Sequence, residues 1–374
     1  MGNHIPKYDD ELKKSLVSIK MLNLENIKPL DSQAMSAARV RQNELLKPAG
    51  SLGQLEEISI QIAGITGKVK NKISKKIHFL FGSDHGIYDE GVSASPQYFT
   101  KVLMKVYADT GGAINALCKN SGVELKIFDL GVKNLSNFKN IDSSHKFMPE
   151  GTRNFLKQRA MTLETAERVI NFGIELVREA KNENFDIIGA GEVGMANTTP
   201  AAACIMEALK RYDENLVGRG GGLTDEAFEN KKRVIISALK FHKPDENNAL
   251  EILSCVGGLD IAAMTGIFLG GALYRVPVII DGVISIAAAI LATKINPLSR
   301  DFMIPSHKSL EPAYSAAAEF LKMKPFLNLD MRLGEGTGCP IAMQVIEDSL
   351  AVMNDMKTFN DINLESEYRK TIKN

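Results

Sequence analysis

The segment R-L-G-E-G-T-G (332–338) places a single carboxylate, Glu335, between glycines at the start of a predicted helix. A carboxylate at hydrogen-bond distance from a substrate N–H or O–H group can act as a general base. An acid near a helix N-terminus is also a common cap and a partner of the helix dipole. On residue types alone, the capping interpretation of Glu335 is the more frequent one.

A second carboxylate, Glu192, lies in the glycine-rich segment G-A-G-E-V-G-M-A-N-T-T-P (189–200), which follows a predicted strand and opens a helix. Such glycines let backbone amides approach a ligand closely, although a plain structural turn is an equal alternative. Gly189, Gly191 and Gly194 match the spacing G-x-G-x-x-G. A dinucleotide site is not favoured, because Glu192 would point a carboxylate at the pyrophosphate and no acid ends a second strand about 20 residues later.

The segment V-G-R-G-G-G-L-T (217–224) precedes Lys231 and Lys232. Consecutive backbone N–H groups beside an ammonium form a nest for a phosphate, and a flexible linker is the competing interpretation. The string A-D-T-G-G (108–112) lacks the paired acids and the preceding apolar strand of a phosphoribosyl pyrophosphate loop, so we reject that interpretation.

Two histidine motifs, D-H-G (84–86) and S-H-K-S (306–309), lie far apart in the sequence. They form no recognisable metal-ligand spacing, and hydrogen bonding to a substrate or a structural role is the better interpretation. We therefore predict neither a metal site nor a cofactor.

The elements that position these loops are short apolar runs that alternate with helical stretches such as Leu163–Lys181. Strands that alternate with helices of ten or more residues predict an α/β fold, with a mostly parallel, Rossmann-like sheet flanked by helices. Ligands bind beyond the carboxyl ends of such strands. Four loops with Glu, Asp, His or Ser would lie there: G-S-D-H-G, G-E-V-G-M-A-N-T-T, D-G-V and S-H-K-S. The predicted strands are Ile77–Phe81, Val123–Leu130, 185–191, Pro277–Ile280 and Phe302–Pro305.

Three segments are predicted along the chain: a helical part of a small domain (1–70), a large catalytic α/β domain (71–340), and a C-terminal helix and tail that return to the small domain (341–374). The first segment shows helical spacing at Leu12, Leu16, Ile19 and Leu22. The most apolar run, 277–293, contains Asp281 and is shorter than the roughly 20 residues of a membrane span, so it predicts a buried strand followed by a buried helix.

The composition excludes several classes of protein. Lys plus Arg and Asp plus Glu both number 45, so no net charge is available to hold nucleic acid or an anionic membrane. Four widely spaced cysteines suggest neither a zinc site nor a disulfide framework and fit a reducing cytoplasm; they are Cys118, Cys204, Cys255 and Cys339. The N-terminus M-G-N-H-I-P carries no signal-peptide pattern.

Seven distinctive sequence blocks lie between about residues 45 and 345. They are K-P-A-G-S-L-G-Q-L-E (47–56), S-D-H-G-I-Y-D-E-G-V-S-A-S-P (83–96), G-A-G-E-V-G-M-A-N-T-T-P-A-A-A (189–203), V-G-G-L-D-I-A-A-M-T-G (256–266), P-V-I-I-D-G (277–282), I-P-S-H-K-S-L-E-P (304–312) and M-R-L-G-E-G-T-G (331–338). Together these blocks resemble the nicotinate-nucleotide:dimethylbenzimidazole phosphoribosyltransferase family, which activates the lower ligand of cobamides.

The resemblance implies that Glu335 is the general base, that Glu192 lies in the same pocket, and that Ser95 lies near the acceptor base. Where a Gln often stands in the family, this chain has Leu103, so the acceptor stays open. The resemblance further implies a small domain of helices from near both termini, and usually a homodimer, with a heterodimer with a paralogue as the alternative. The residues that it assigns to the nucleotide and its phosphate are Gly194, Gly220, Lys231 and Ser309.

The implied chemistry needs few protein groups. Nicotinate mononucleotide already carries a pyridinium, so its glycosidic bond breaks to a neutral leaving group without the general acid of a glycosidase. The acceptor nitrogen attacks C1′, and the proton from its other nitrogen passes to Glu335, while Glu192 stabilises the cationic transition state. No pyrophosphate departs, so no metal is required.

Three alternatives stay open at this point: transfer to adenine, transfer to a phenolic acceptor, and a non-catalytic or partner-dependent subunit that binds without turnover. The presence of both Glu192 and Glu335 argues against the last of these, because a binding module needs no base beside the ribose.

Overall fold

The computed structural model describes residues 23–362, in which five parallel strands form one sheet. The strands are β1 (Lys76–Ser83), β2 (Val123–Gly131), β3 (Ile187–Val193), β4 (Val278–Ile280) and β5 (Met303–Pro305). This confirms the predicted α/β class and its parallel sheet. The helix predicted around Leu12–Leu22 and the end of the C-terminal tail lie outside the described residues.

Helices flank the sheet and connect its strands. In the described part of the chain they are α1 (Ser32–Glu44), α2 (Gln54–Thr66), α3 (Phe99–Ala108), α4 (Ala113–Ser121), α5 (Leu163–Asn182), α6 (Thr198–Leu209), α7 (Asp225–His242), α8 (Ala249–Val256), α9 (Leu259–Tyr274), α10 (Val283–Ile295), α11 (Pro312–Phe320) and α12 (Gly338–Asp355).

The apolar run 277–293 divides into β4 and α10, as predicted, and both elements are almost entirely buried. Within residues 23–362, no helix combines the length and the hydropathy that crossing a membrane would require. The run therefore forms part of the protein core.

The strand order is β2-β1-β3-β4-β5, so the chain reverses its direction of travel across the sheet between β1 and β3. In this doubly wound order, the crevice for a ligand opens beyond the carboxyl ends of the two strands at the reversal. β1 and β3 are buried along nearly their whole length, as expected for strands covered by helices on both faces. The topology therefore places the loops after Ser83 and Val193 side by side.

Helices α1 and α2 pack against the C-terminal helix α12. The Ser349 hydroxyl donates to the Leu55 carbonyl at 2.6 Å, and Arg41 Nε donates to the Met353 carbonyl at 2.8 Å. The two ends of the described chain therefore meet in one helical layer. The domain boundaries 1–70, 71–340 and 341–374 stay a prediction.

Helices α5 and α9 cross at two glycines that face backbone. A Cβ atom at Gly266 would lie 2.0 Å from the Ile170 carbonyl oxygen, and one at Gly173 would lie 2.2 Å from that of Ala263. Only glycine fits this crossing, because the opposing atoms belong to the rigid backbone of a helix.

We expect Gly266→Ala to lower the free energy of unfolding by about 1–3 kcal/mol, the usual cost of an overpacked core, although alanine is the better helix former. Gly64→Ala, in α2, is the matched control, because its Cβ would meet the flexible side chain of Met35. Urea unfolding checks the pair. Equal stability of the two variants would contradict the account of this crossing.

Candidate active site

A cavity of about 290 Å³ opens beyond the carboxyl ends of the strands. Loops that follow β1, β3, β4 and β5 line it, together with residues 332–335 ahead of α12. Of the predicted site residues, only Lys231 lies outside the lining. Those that the structure brings together here are Ser95, Leu103, Glu192, Gly194, Gly220, Ser309 and Glu335.

The loop that carries Glu335 follows an unusual backbone path. Gly334, Glu335 and Gly336 have φ angles of 91°, 61° and 76°, in the left-handed region that glycine adopts readily and a residue with a side chain rarely does. Gly191 of β3 makes room for this loop, because a Cβ there would lie 2.3 Å from the Glu335 carbonyl oxygen. A strained backbone that neighbouring packing holds in place is characteristic of functional sites.

A buried histidine supports the same loop from below. His78 Nε2 lies 3.2 Å from the Glu335 carbonyl oxygen, to which it donates in the Nε2-protonated tautomer. Burial lowers the pKa of His78 to about 3, so the imidazole is neutral at physiological pH.

The Glu335 side chain is held by two donors from another part of the chain. The Tyr107 hydroxyl donates to Oε1 at 3.0 Å, and the backbone N–H of Ile114, in the first turn of α4, donates to Oε2 at 3.0 Å. The capping interpretation of Glu335 is wrong for its own helix, because α12 begins after Thr337 without any side-chain cap. The carboxylate instead lines the cavity.

Glu192 and Asp281 form an acidic floor in the cavity. Asn197 Nδ2 donates to Glu192 Oε2, and the Gly338 N–H donates to Asp281 Oδ1 at 2.7 Å. Burial, reinforced by the charges of Asp260 and Asp281, raises the pKa of Glu192 well above its ordinary value. Burial also raises the pKa of Asp281, although the adjacent His307 partly opposes this effect. A cation bound above this floor would favour the ionised carboxylates.

Another part of the cavity is suited to an anion. Lys231 is fully buried, and its ammonium donates to Thr198 Oγ1 at 2.8 Å and to the Gly218 carbonyl at 2.9 Å. Burial lowers the pKa of Lys231 to about 8. Gly220 has a φ of 52°, and a Cβ there would lie 3.6 Å from Lys231 Nζ, so the ammonium lies directly behind this part of the lining. Ser309, which is only 5% exposed, lines the same cavity.

Helix α3 supplies a mostly apolar wall. Phe99, Leu103 and Tyr107 recur every four residues, so they lie on one face of the helix, and all three line the cavity. Ser95 precedes the helix on the same side. This wall suits a flat aromatic ring, with the Tyr107 hydroxyl and Glu335 at its inner end.

The two histidine motifs have different environments. His307 lines the cavity, 3.8 Å from Asp281 Oδ1, whereas His85 is fully buried and lies 3.4 Å from Asp260 Oδ2. A Cβ at Gly194 would lie 2.8 Å from His85 Nε2, so this histidine supports the glycine loop from behind.

The sequence interpretation missed several residues of the cavity. Asp281 lies in a loop that it had marked, but no role was given to this residue. Tyr107 was missed as well. The four-residue spacing of Phe99, Leu103 and Tyr107 was a signal that these residues share a helix face, but nothing local indicated that Tyr107 hydrogen-bonds Glu335, 228 residues later. Other polar or charged lining residues that it missed are Asn197, Arg219, Glu311 and Arg332.

Comparisons with known proteins identify relatives of the whole chain. A phosphoribosyltransferase family model matches residues 27–363. The nicotinate-nucleotide–dimethylbenzimidazole phosphoribosyltransferase of Clostridium perfringens (strain ATCC 13124) is 41% identical over 355 residues, covering 94% of this chain and 98% of the relative. The protein of the same name from Clostridium tetani is 42% identical over 356 residues, with the same coverage. The crystal structure of CobT from Thermus thermophilus matches with a TM-score of 0.84 and 33% identity, over 89% of this chain and 99% of that one.

The raised pKa of Glu192 predicts how stability depends on pH. The folded protein holds the Glu192 proton to higher pH than the unfolded chain, so this group's contribution is full below about pH 4.3 and is lost as pH rises through the folded value. A glutamine at this position cannot titrate. Glu192→Gln should therefore become more stable relative to wild type as pH rises from 5 to 8, by up to about 1.4 kcal/mol per pH unit.

Urea unfolding at several pH values measures this difference, with Glu57→Gln, in an exposed ion pair with Arg39, as the control. A constant difference between Glu192→Gln and wild type across the range would show that Glu192 does not hold its proton in the folded state.

Proposed function

The chain belongs to the nicotinate-nucleotide–dimethylbenzimidazole phosphoribosyltransferase family, and we propose that Glu335 accepts the proton that its reaction releases. The chain transfers 5-phosphoribose from nicotinate mononucleotide to the lower-ligand base, giving an α-ribazole phosphate and nicotinate. One observation supports this role of Glu335 above all. Two hydrogen-bond donors fix its carboxylate in a cavity that Gly220 and Ser95 also line.

The reaction breaks one bond to C1′, forms another and transfers one proton. The C1′–N bond of the nucleotide breaks, its electron pair returns to the pyridinium nitrogen, and nicotinate leaves with a neutral ring. A ring nitrogen of the acceptor forms the new bond to C1′ with its lone pair and becomes cationic. The N–H of its other nitrogen then gives its proton to Glu335.

The acidic floor of Glu192 and Asp281 complements the positive charge in this reaction. The substrate carries a pyridinium, and the transition state places positive charge on the ribose. Burial within the protein raises the pKa of Glu192. A cation above the carboxyl favours its ionised form, so Glu192 gains its charge as the substrate binds and then stabilises the transition state.

The nucleotide phosphate occupies the end of the cavity near Gly194, Gly220, Lys231 and Ser309 in this proposal. Both hydrogen-bond acceptors of the Lys231 ammonium are neutral oxygens, those of Thr198 and Gly218. A phosphate beside Gly220 would bring negative charge close to this ammonium. The N-terminus of α6, which begins at Thr198, adds backbone N–H groups that favour an anion.

The acceptor lies against the wall of α3 in this proposal, near Ser95 and Leu103. Leu103 and Phe99 make this wall apolar, which favours a benzimidazole or a phenol over adenine, whose exocyclic amine would lose its hydration. A phenol would give its hydroxyl proton to Glu335 and attack through oxygen.

We further propose a homodimer, with a heterodimer with a paralogue as the alternative. Exposed apolar side chains in and beside the cavity lining support an assembly: Leu333, which lines the cavity, is 61% exposed, and Tyr98, next to the lining residue Phe99, is 63% exposed. A cytoplasmic location is also proposed, and the four cysteines, all buried and unpaired, fit a reducing compartment.

Glu335→Gln should lower the rate of α-ribotide formation by roughly 10²–10⁴, the range for loss of general-base catalysis, because an amide accepts no proton at neutral pH. Turnover with nicotinate mononucleotide and dimethylbenzimidazole measures this, with Glu347→Gln in the peripheral Lys76 ion pair as the control. Turnover at the wild-type rate in Glu335→Gln would remove Glu335 from the mechanism.

Leu103→Gln tests the acceptor assignment. Introducing an amide into the apolar wall should shift preference from phenol towards adenine by roughly tenfold in kcat/KM, because the amide can pair with polar ring edges. A panel of dimethylbenzimidazole, adenine and phenol measures the ratio in both proteins. An unchanged ratio would place the acceptor elsewhere, and no product with any acceptor would favour the binding-only alternative.

A further inference from the structure

Tyr107, in the last turn of helix α3, is 1% exposed, and its hydroxyl lies 3.0 Å from Glu335 Oε1. We propose that Tyr107 is a positioning residue that aims the Glu335 carboxylate at the acceptor. This inference rests on the proposed role of Glu335 as the base.

The position of the Tyr107 ring is fixed by the segment A-D-T-G-G (108–112), for which the sequence offered no function. A Cβ at Gly112 would lie 2.3 Å from Tyr107 Cδ1, so only glycine leaves room for the ring. Asn115 Nδ2 donates to the Tyr107 carbonyl at 2.9 Å, and Asn115 Oδ1 accepts from the Gly112 N–H at 2.9 Å. These contacts tie the tyrosine to the start of α4.

The same turn supplies the second donor to the carboxylate. Ile114 N–H donates to Glu335 Oε2, so one carboxylate oxygen accepts from the end of α3 and the other from the start of α4. Two donors on two oxygens fix the plane of the carboxylate. Because each oxygen can accept further hydrogen bonds, the carboxylate can still meet an acceptor N–H in the cavity.

The tyrosine is also a permanent donor. Burial, with the charges of Glu335 and Glu192, raises the pKa of Tyr107 far above its ordinary range, so its hydroxyl stays a neutral donor at every working pH. Its hydrogen bond to Glu335 Oε1 therefore holds the direction of the carboxylate throughout the reaction. Without this donor, only the Ile114 N–H remains among the described residues to fix the carboxylate, and the base can turn away from the acceptor.

A purely structural role predicts something different. A buried tyrosine that only fills space would give, as phenylalanine, a stable enzyme with unchanged kcat and KM. A hydroxyl that touched the acceptor directly would act whether or not residue 335 were a glutamate. These outcomes distinguish the positioning role from a space-filling role and from direct contact between the hydroxyl and the acceptor.

The test is the steady-state kinetics of Tyr107→Phe, measured with nicotinate mononucleotide and dimethylbenzimidazole. We expect kcat to fall roughly tenfold with a small change in KM, because a misdirected base slows the proton transfer without weakening substrate binding. Tyr274→Phe, at the end of α9, is the control for loss of a hydroxyl, and thermal unfolding checks that both variants fold. A kcat at the wild-type value in Tyr107→Phe would overturn the proposal.

A double-mutant comparison completes the test. In a Glu335→Gln background, Tyr107→Phe should cost no further activity, because the group through which it acts is absent. The same loss in both backgrounds would overturn the positioning role. Full turnover in Glu335→Gln alone would instead overturn the proposed base, so the two failures are distinguishable.

Discussion

The site depends on the close approach of one glycine-rich loop to the ends of β3 and β4. Gly191 lets the Glu335 backbone lie against the sheet, and a Cβ at Gly336 would lie 2.2 Å from the ring of His78. The N–H of Gly338 donates to Asp281 Oδ1 at 2.7 Å. The loop has three successive residues in the left-handed region, and the Glu335 side chain points from it to Tyr107 and α4. The direction of the carboxylate therefore depends on the glycines that allow this close approach and these backbone angles.

The charges of the cavity match a substrate that carries both signs. A buried ammonium, Lys231, lies behind the glycine loop at one end, and the acidic floor of Glu192 and Asp281 lies elsewhere in the lining. Nicotinate mononucleotide has a phosphate and a pyridinium that correspond to these regions. Burying an acid without its counter-charge is costly, so the protein by itself favours the protonated form of Glu192. In the proposed mechanism, the substrate itself supplies the missing charge.

The sequence was sufficient for the strands and their loops, because apolar runs that end in glycine and polar residues show clearly in a parallel α/β fold. It was not sufficient for contacts between distant segments. The capping interpretation of Glu335 used only its place before α12, whereas its donors come from Tyr107 and Ile114, more than 200 residues earlier. Lys231 was selected as a phosphate ligand, and the structure places it behind the cavity lining, bonded to Thr198 and Gly218. Such pairings depend on tertiary packing, which local patterns do not encode.

The central claim is that the acceptor gives its proton to Glu335 inside this cavity. A crystal structure of the protein with dimethylbenzimidazole bound tests it most directly. The account predicts the ring against Phe99 and Leu103, with its N–H about 2.6–3.2 Å from a Glu335 oxygen. A ring bound outside the cavity, or one whose N–H faces solvent while Glu335 stays on Tyr107 and Ile114 alone, would contradict it.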